Sequence, residues 1–432
     1  MNLLNIKLLP LTVVIGFNLF TVLIFLSAPM NWATDNLYIF TAFFLICQIM
    51  IIGGYLQGFQ KVVRLDIPHT VFYKISNIKL SLIFFFYAAT MLIKYAFSLK
   101  FNLLDIKGMV LFCLTGLIDP RTTYIIGADP TRPYTINWSL YFLTSIINQL
   151  FFIIGFIKWK EMSLLKKIFF ILFVIIELFY WMGRGTNFGV ICMITTVTFV
   201  FIDRFKLLKL NFRKTLSVSV LIFLLFMVSF TFFAYNMDRR GDGGAAITGN
   251  FAIGSSTVRE SSAIFSIIPE SLHNSYLLIV SYMTQGYYHT CLAFDLDFKS
   301  TYFLGNNPGL ISLAGALGIY VWENTYMYGL GAKYNDVDDL AVWHSAYTWY
   351  ANDVSFFGVP FVLFILGYLY GLSRNLSLKY NDFLSKVMFI IFGNMLLFLF
   401  ANNTYLSSVF YSFMFVFPIW YFTRVKGIIC RR

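Results

Sequence analysis

The sequence predicts an all-α polytopic integral membrane protein, and three observations carry that prediction. Of its 432 residues, 59% are hydrophobic and 12% charged, about half the charged share of an ordinary soluble domain. Ten apolar runs of bilayer-spanning length follow one another along the chain. Lys and Arg outnumber Asp and Glu by 32 to 20, and most of those cations fall in alternate loops, as the anchoring of cytoplasmic helix ends requires. A soluble globular protein is excluded, and the +12 charge needs no nucleic acid to explain it.

Taken in order, the runs are roughly 8–29, 36–57, 79–99, 137–157, 168–183, 185–203, 216–235, 354–373, 387–403 and 404–423. The first is too long for a secretory signal and lacks a small-x-small cleavage site, so it counts as a span. Ten is even, which puts both ends on one side. With Lys7 cytoplasmic, the inner loops hold Lys61, Arg64, Lys74 and Lys79, then Lys158, Lys160, Lys166 and Lys167. They continue with Arg204, Lys206, Lys209, Arg213 and Lys214, then Arg374, Lys379 and Lys386, and finally Arg424, Lys426, Arg431 and Arg432, in all 21 of the 32 cations.

The chain then divides into three segments. Residues 1–235 form a seven-helix membrane bundle with an outward loop at 100–136. Residues 236–353 form a large outward (periplasmic) loop, and 354–432 form three C-terminal transmembrane helices with the C-terminus cytoplasmic. Within the large loop, 276–294 and 308–321 are apolar but interrupted by Gly and polar residues. They lie in the interface, dip in as re-entrant pieces, or cross as a pair to make twelve spans; two extra crossings preserve parity, so hydropathy leaves the three open. No internal repeat, heptad or low-complexity tract is visible, and no soluble catalytic domain is expected on the cytoplasmic side.

Chemistry is therefore expected on the outward face. Six of its ten cations are Arg, at 121, 132, 184, 239, 240 and 259, against seven of 21 inside. Arg presents a planar fork that grips phosphate bidentately, whereas Lys is a point charge suited to anionic headgroups. The competing reading pairs these Arg with outward acids such as Asp119, Asp129, Asp238, Asp242, Glu260 and Glu270. Arg184 sits in the tight hairpin Gly183-Arg184-Gly185-Thr186-Asn187. Arg239 and Arg240 follow a span, at headgroup level. Within the membrane, Lys94 and Glu177 lie at comparable depth; intramembrane charges need partners, and a structural Lys94–Glu177 pair is expected rather than a proton relay.

Three histidines, His273, His289 and His344, are outward, but none has metal-ligand spacing, and no metal or cofactor is expected. The pairs Asp295/Asp297 and Asp336/Asp338 are too common a pattern to read as nucleotide-sugar sites. Five scattered cysteines give no reason to expect a disulfide.

The stretch Trp343-His344-Ser345-Ala346-Tyr347-Thr348-Trp349-Tyr350-Ala351-Asn352-Asp353-Val354-Ser355-Phe356-Phe357-Gly358 resembles the segment before a late span of bacterial O-antigen polymerases of the Wzy type, where a His, a small polar residue and an aromatic precede a Gly that opens the helix. More loosely it resembles O-antigen ligases. Gly183–Asn187, Ser281-Tyr282-Met283-Thr284-Gln285-Gly286-Tyr287-Tyr288-His289 and Tyr302-Phe303-Leu304-Gly305 are similar to the same family. The hydropathy pattern matches along most of the chain. Ser345 stands where an Asn often follows the His, and His273-Asn274 carries that dipeptide, so the catalytic His is open among His344, His273 and His289.

The resemblance implies a GT-C-like, membrane-embedded glycosyltransferase in the bacterial inner membrane with a periplasmic active face. It would transfer a growing glycan from undecaprenyl pyrophosphate to the next lipid-linked repeat unit, without metal and with inversion. Its partners would be undecaprenyl-pyrophosphate-linked oligosaccharides, membrane lipid and a chain-length regulator protein. Pyrophosphate leaves with charge that fixed cations stabilise, and a His of ordinary pKa near about 6.5 can orient or deprotonate the acceptor hydroxyl. The expected catalytic residues are accordingly His344, Arg184, Arg239 and Arg240, with Arg259, Arg121, Arg132, His289, Tyr347 and Asp353 on substrate. Trp343, Tyr347, Trp349 and Tyr350 offer flat faces to sugars or form an interfacial belt. The rival readings are an O-antigen ligase and a lipid-linked oligosaccharide flippase or exporter.

Overall fold

The computed structural model describes residues 3–61, 77–99, 105–119, 122–123, 138–183, 188–204, 252–334, 344–401 and 407–425. Its main helices are α1 (Leu3–Ser27), α2 (Leu37–Gln60), α3 (Asn77–Leu99), α4 (Ile106–Ile118), α5 (Trp138–Lys158), α6 (Leu164–Gly183) and α7 (Phe188–Arg204). They continue with α8 (His273–Ala293), α9 (Pro308–Ala316), α10 (Tyr326–Lys333), α11 (Ala346–Tyr380), α12 (Phe383–Leu397) and α13 (Ser407–Trp420). Among the described residues four helical stretches are long and apolar enough to cross a membrane: Lys7–Ser27, Leu37–Gln60, Lys79–Ala96 and Ala346–Tyr380. The fold is that of a helical, membrane-embedded protein. The expected run 216–235 lies outside the described residues.

Helix α2 shows why lipid is the solvent. Its packed face is Phe40, Phe44, Cys47, Gln48, Ile51, Gly54, Tyr55 and Gly58, the three-and-four spacing of one helix side. The opposite side exposes Tyr38, Ile39, Leu45, Ile46 and Ile49. A helix apolar all round has a second face that belongs in hydrocarbon.

The chain forms two compact units. Unit 1 comprises Met1–Lys61, Gly244–Asn375 and Met395–Ser407. There α2 and α11 approach backbone to backbone through the same short motif, Gly54-Tyr55-Leu56-Gln57-Gly58 on one and Gly367-Tyr368-Leu369-Tyr370-Gly371 on the other. A methyl at Gly54 or Gly58 would strike the carbonyl oxygen of Phe364 or Tyr368, and one at Gly371 that of Tyr55. This is the small-xxx-small contact by which membrane helices gain packing without a hydrophobic drive.

A three-stranded antiparallel sheet, β1 (Met30–Asn31), β2 (Ala252–Ile253) and β3 (Ser256–Val258), runs in the order β1-β3-β2 with Met30 opposite Val258. It ties the α1–α2 turn to the 252–258 segment. Helix α8 packs on α1 and α2. Helix α9 has nine residues, roughly 14 Å at 1.5 Å per residue against a hydrocarbon core of about 30 Å. The stretch 308–321 therefore does not cross as one helix, and the twelve-span alternative loses one of its two extra crossings.

Helix α11 breaks at Ser355, whose φ of 56° and ψ of 171° are non-helical, so a short helix precedes a long one. The break falls where the sequence starts its span, yet it is Ser355 and not Gly358 that opens the long helix. Gly358 lies inside it, and a Cβ there would meet Val354 Cβ at 2.6 Å.

Unit 2 comprises Val62–Gly243, Leu376–Asn394 and Ser408–Arg432. Its core is aromatic: Tyr87 stacks on Phe151 at 3.8 Å, with Phe152 and Phe173 edge-on to Tyr87. Lys94 and Glu177 pair there, both side chains 4% exposed. Trp181 Nε1 donates to Glu177 Oε1 at 2.7 Å and the Tyr87 hydroxyl to Oε2 at 3.2 Å. Lys94 Nζ lies 4.3 Å from the Tyr180 ring centroid. The Lys94–Glu177 pairing expected from the sequence is thus present, with its charges met on several sides.

Several cations counted as loop anchors are instead buried. Arg424 donates to Asp382 Oδ1 at 3.2 Å, and Asp382 Oδ2 accepts from Ser385 N and Oγ. Ser377 Oγ donates to Asp203, and Lys386 lies 3.9 Å from it. In unit 1, Arg374 is fully buried.

Candidate active site

The site is built where α8 meets the start of α11. Gly286 makes the meeting close, since a Cβ there would lie 2.7 Å from Phe400 O and 3.0 Å from Ser345 N. Three residues later on α8, His289 comes against His344, with ring centroids 5.2 Å apart and each residue 1% exposed. The two are fifty-five residues apart in the chain.

Beside them lies a cluster of hydroxyls. Thr290 Oγ1 donates to Gly286 O and lies 2.6 Å from Ser345 Oγ and 3.0 Å from Thr348 Oγ1. Since the Thr290 proton goes to the Gly286 carbonyl, Ser345 and Thr348 must donate to Thr290. Ala346 N donates to Leu399 O, fixing the helix start.

A second polar chain runs below through the helices. Asn18 Nδ2 donates to Gln48 Oε1 (3.3 Å) and Leu396 O (3.2 Å), and Gln48 Nε2 donates to the Tyr347 hydroxyl (3.1 Å). Thr21 donates to Asn18 O, so its partner Tyr287 donates to Thr21, at 2.8 Å. The Tyr347 ring is enclosed by Phe43, Phe44 and Tyr287. Tyr347, Trp349 and Tyr350 are all buried, which corrects the expectation of open sugar faces or an interfacial belt: their faces are covered by protein, and Tyr347 holds the His344 segment in place.

Asp353 has a different job from the one expected. Its Oδ1 accepts from Thr301 Oγ1 and Gly305 N, and its Oδ2 from Asn306 Nδ2 at 2.7 Å. Neighbouring Asn352 donates to Gly305 O and accepts from Tyr326 N, both at 2.8 Å. The two residues pin the loop 301–306, in which Tyr302 and Phe303 adopt φ of 56° and 63° and are about 70% exposed. Left-handed backbone in two consecutive aromatics persists only where surroundings over-determine it, and the occupied carboxylate supplies that constraint. Burial, with Asp297 adding to it, pushes the Tyr326 hydroxyl up to about 12, so it stays protonated.

Arg259 extends from β3. Its backbone N donates to Pro29 O, and its exposed guanidinium reaches Met30 O at 3.3 Å. Two residues on from Met30, Trp32 stacks on Tyr288 at 5.4 Å, and Tyr288 adjoins His289. His273 stands apart from this group. Its Nε2 lies 3.1 and 2.8 Å from the carbonyl oxygens of Phe265 and Ile268, a cap on the turn before α8, about 24 Å along that helix from His289.

Arg121, Arg132, Arg184, Arg239 and Arg240 lie outside the described residues. Asp295 accepts from Asn36 Nδ2 at 2.9 Å and is a structural acceptor. Among the described residues no group of three or more His, Cys, Asp or Glu is placed to hold a metal ion, and Cys47, Cys113, Cys192 and Cys291 are buried thiols that form no disulfide with one another. No signal in the sequence marks the Thr290–Ser345–Thr348 cluster, because its members come from two distant segments.

No family model, curated protein or solved structure matches this chain.

Proposed function

We propose that the chain is a ten-span, GT-C-like glycosyltransferase of the bacterial inner membrane that polymerises lipid-linked oligosaccharide repeat units on the periplasmic face. The observation that carries the reading is the buried His289–His344 pair, assembled from the two motifs that resemble Wzy-type polymerases. In this reading the acceptor sugar hydroxyl attacks the anomeric carbon of the growing glycan in line. The bond to the pyrophosphate oxygen breaks with inversion, and His344 takes the acceptor proton while His289 orients it. Arg259 meets the charge on the leaving pyrophosphate, and the roles that the resemblance implies for Arg184, Arg239, Arg240, Arg121 and Arg132 fall on residues outside those described.

The test is to incubate the purified protein with undecaprenyl-pyrophosphate-linked repeat units and look for dimers and longer products. His344→Ala is expected to cut product formation per folded molecule by about 10²–10⁴-fold, more than the stability lost on truncating a buried side chain accounts for. A wild-type protein that yields no lengthened lipid-linked product overturns the polymerase reading. Product that appears only on a lipid A core acceptor makes the protein a ligase.

A further inference from the structure

Unit 2 contains a cavity of about 310 Å³, at the small end of the roughly 300–1,000 Å³ range of ligand pockets. Phe156 from the end of α5 and Trp159 from the turn after it, Phe170 and Val174 from α6 and Val200 from α7 form its walls, and Arg204 is its one charged liner. The mouth opens at the molecular surface, since the lining residues Ile171 and Phe201 are 47% and 37% exposed.

Arg204 is held at the rim. One guanidinium nitrogen donates to Phe156 O at 2.7 Å and Ile157 O at 2.6 Å, closing the carbonyl end of α5. The adjoining turn carries Lys158, Lys160, Lys166 and Lys167. Lys158 pairs with Glu161 and Lys167 Nζ stands 5.7 Å from the Trp159 ring centroid. Helix-end lysines by themselves only orient a membrane protein; an apolar slot opening beside them and rimmed by a fixed arginine goes further.

We propose that this cavity binds an anionic phospholipid, with part of one acyl chain in the slot and the headgroup phosphate on Arg204 and the neighbouring lysines. The polyprenyl pyrophosphate of the proposed reaction shares the phosphate-and-chain chemistry. The Lys-rich rim favours the bulk lipid, because compact ammonium charges suit headgroups while bidentate pyrophosphate recognition favours arginine.

The full chain, purified in phosphatidylcholine nanodiscs, would be offered phosphatidylglycerol, phosphatidylcholine or undecaprenyl phosphate, and retained lipid read by native mass spectrometry. Phosphatidylglycerol is expected to be retained over phosphatidylcholine by about fivefold for each cation engaged. Val200→Trp fills the slot and should bring retention down to the phosphatidylcholine level, and Ile171→Trp from α6 should do the same if Val200→Trp misfolds. Equal retention of the two phospholipids by the wild type overturns the proposal. So does a folded slot-filling variant that keeps its preference, or undecaprenyl phosphate being retained over phosphatidylglycerol.

Discussion

Buried polarity takes two forms in the two units. In unit 2 its ionic form is Lys94 with Glu177, Arg424 with Asp382, and Asp203 with Ser377 and Lys386, beside a neutral Gln149–Thr196–Asn394 cluster. Around the imidazoles of unit 1 it is neutral, made of amides and hydroxyls on Asn18, Thr21, Gln48, Tyr287, Thr290, Ser345, Tyr347 and Thr348. An ion pair in low dielectric locks helices in one arrangement, and neither partner can change charge without exposing the other to a large desolvation penalty. The imidazoles of unit 1 adjoin a cluster of neutral hydroxyls, so no ion pair within that cluster has to break for them to shift. The two forms therefore separate a lock from a working site, and each can be tested against the other.

The sharpest break is at the lock. Lys94→Met or Glu177→Gln alone leaves one charge buried without its partner and is expected to destabilise the purified protein by about 3–5 kcal/mol, measured by thermal or denaturant unfolding in nanodiscs. The double substitution should recover most of that stability with polymerising activity per folded molecule unchanged. A stable but inactive double variant would restore the proton-relay role. Next in size is Asp353→Asn, which weakens three bonds to the loop 301–306 and should cost about 1–3 kcal/mol. Faster hydrogen exchange confined to that loop would show that the carboxylate holds it; unchanged exchange there would mean that it does not.

The helices were legible because hydropathy reports burial in lipid directly, and the Lys94–Glu177 pair because two lone charges at one depth have little choice of partner. The histidines were legible as motif members, but their meeting was not: it depends on Gly286 admitting the 344–345 and 400 backbones to the side of α8. Arg424 reads from the sequence as a loop charge, and nothing local distinguishes an anchor from half of a buried pair. Tyr347 was read as a sugar platform because an aromatic next to a motif looks the same whether its ring faces solvent or Phe43 and Phe44. The Gly-Tyr-Leu-x-Gly motif was present on both α2 and α11, yet each copy becomes informative only when the other is seen opposite. The break at Ser355 leaves no mark, since a serine in a left-handed conformation is imposed by its neighbours rather than by its type.

One chemical change made in both units gives the finest comparison. Thr196 in unit 2 accepts from Gln149 Nε2 at 2.9 Å and from Asn394 Nδ2 at 3.2 Å. Thr196→Val strands two buried amide donors, which costs about 1–3 kcal/mol. Thr290→Val in unit 1 removes the acceptor shared by Ser345 and Thr348, but those hydroxyls are 3.4 Å apart and can bond to each other, so the loss should be only about 0.5–1.5 kcal/mol. Activity should run the other way. Ser345 is the residue after His344, and a shift in its hydroxyl moves the imidazole, so Thr290→Val should lower kcat several-fold with little change in KM, while Thr196→Val leaves kcat of the folded fraction alone. If the two valines instead reduce kcat in proportion to lost stability, the neutral cluster is packing and the imidazoles owe their geometry to something else.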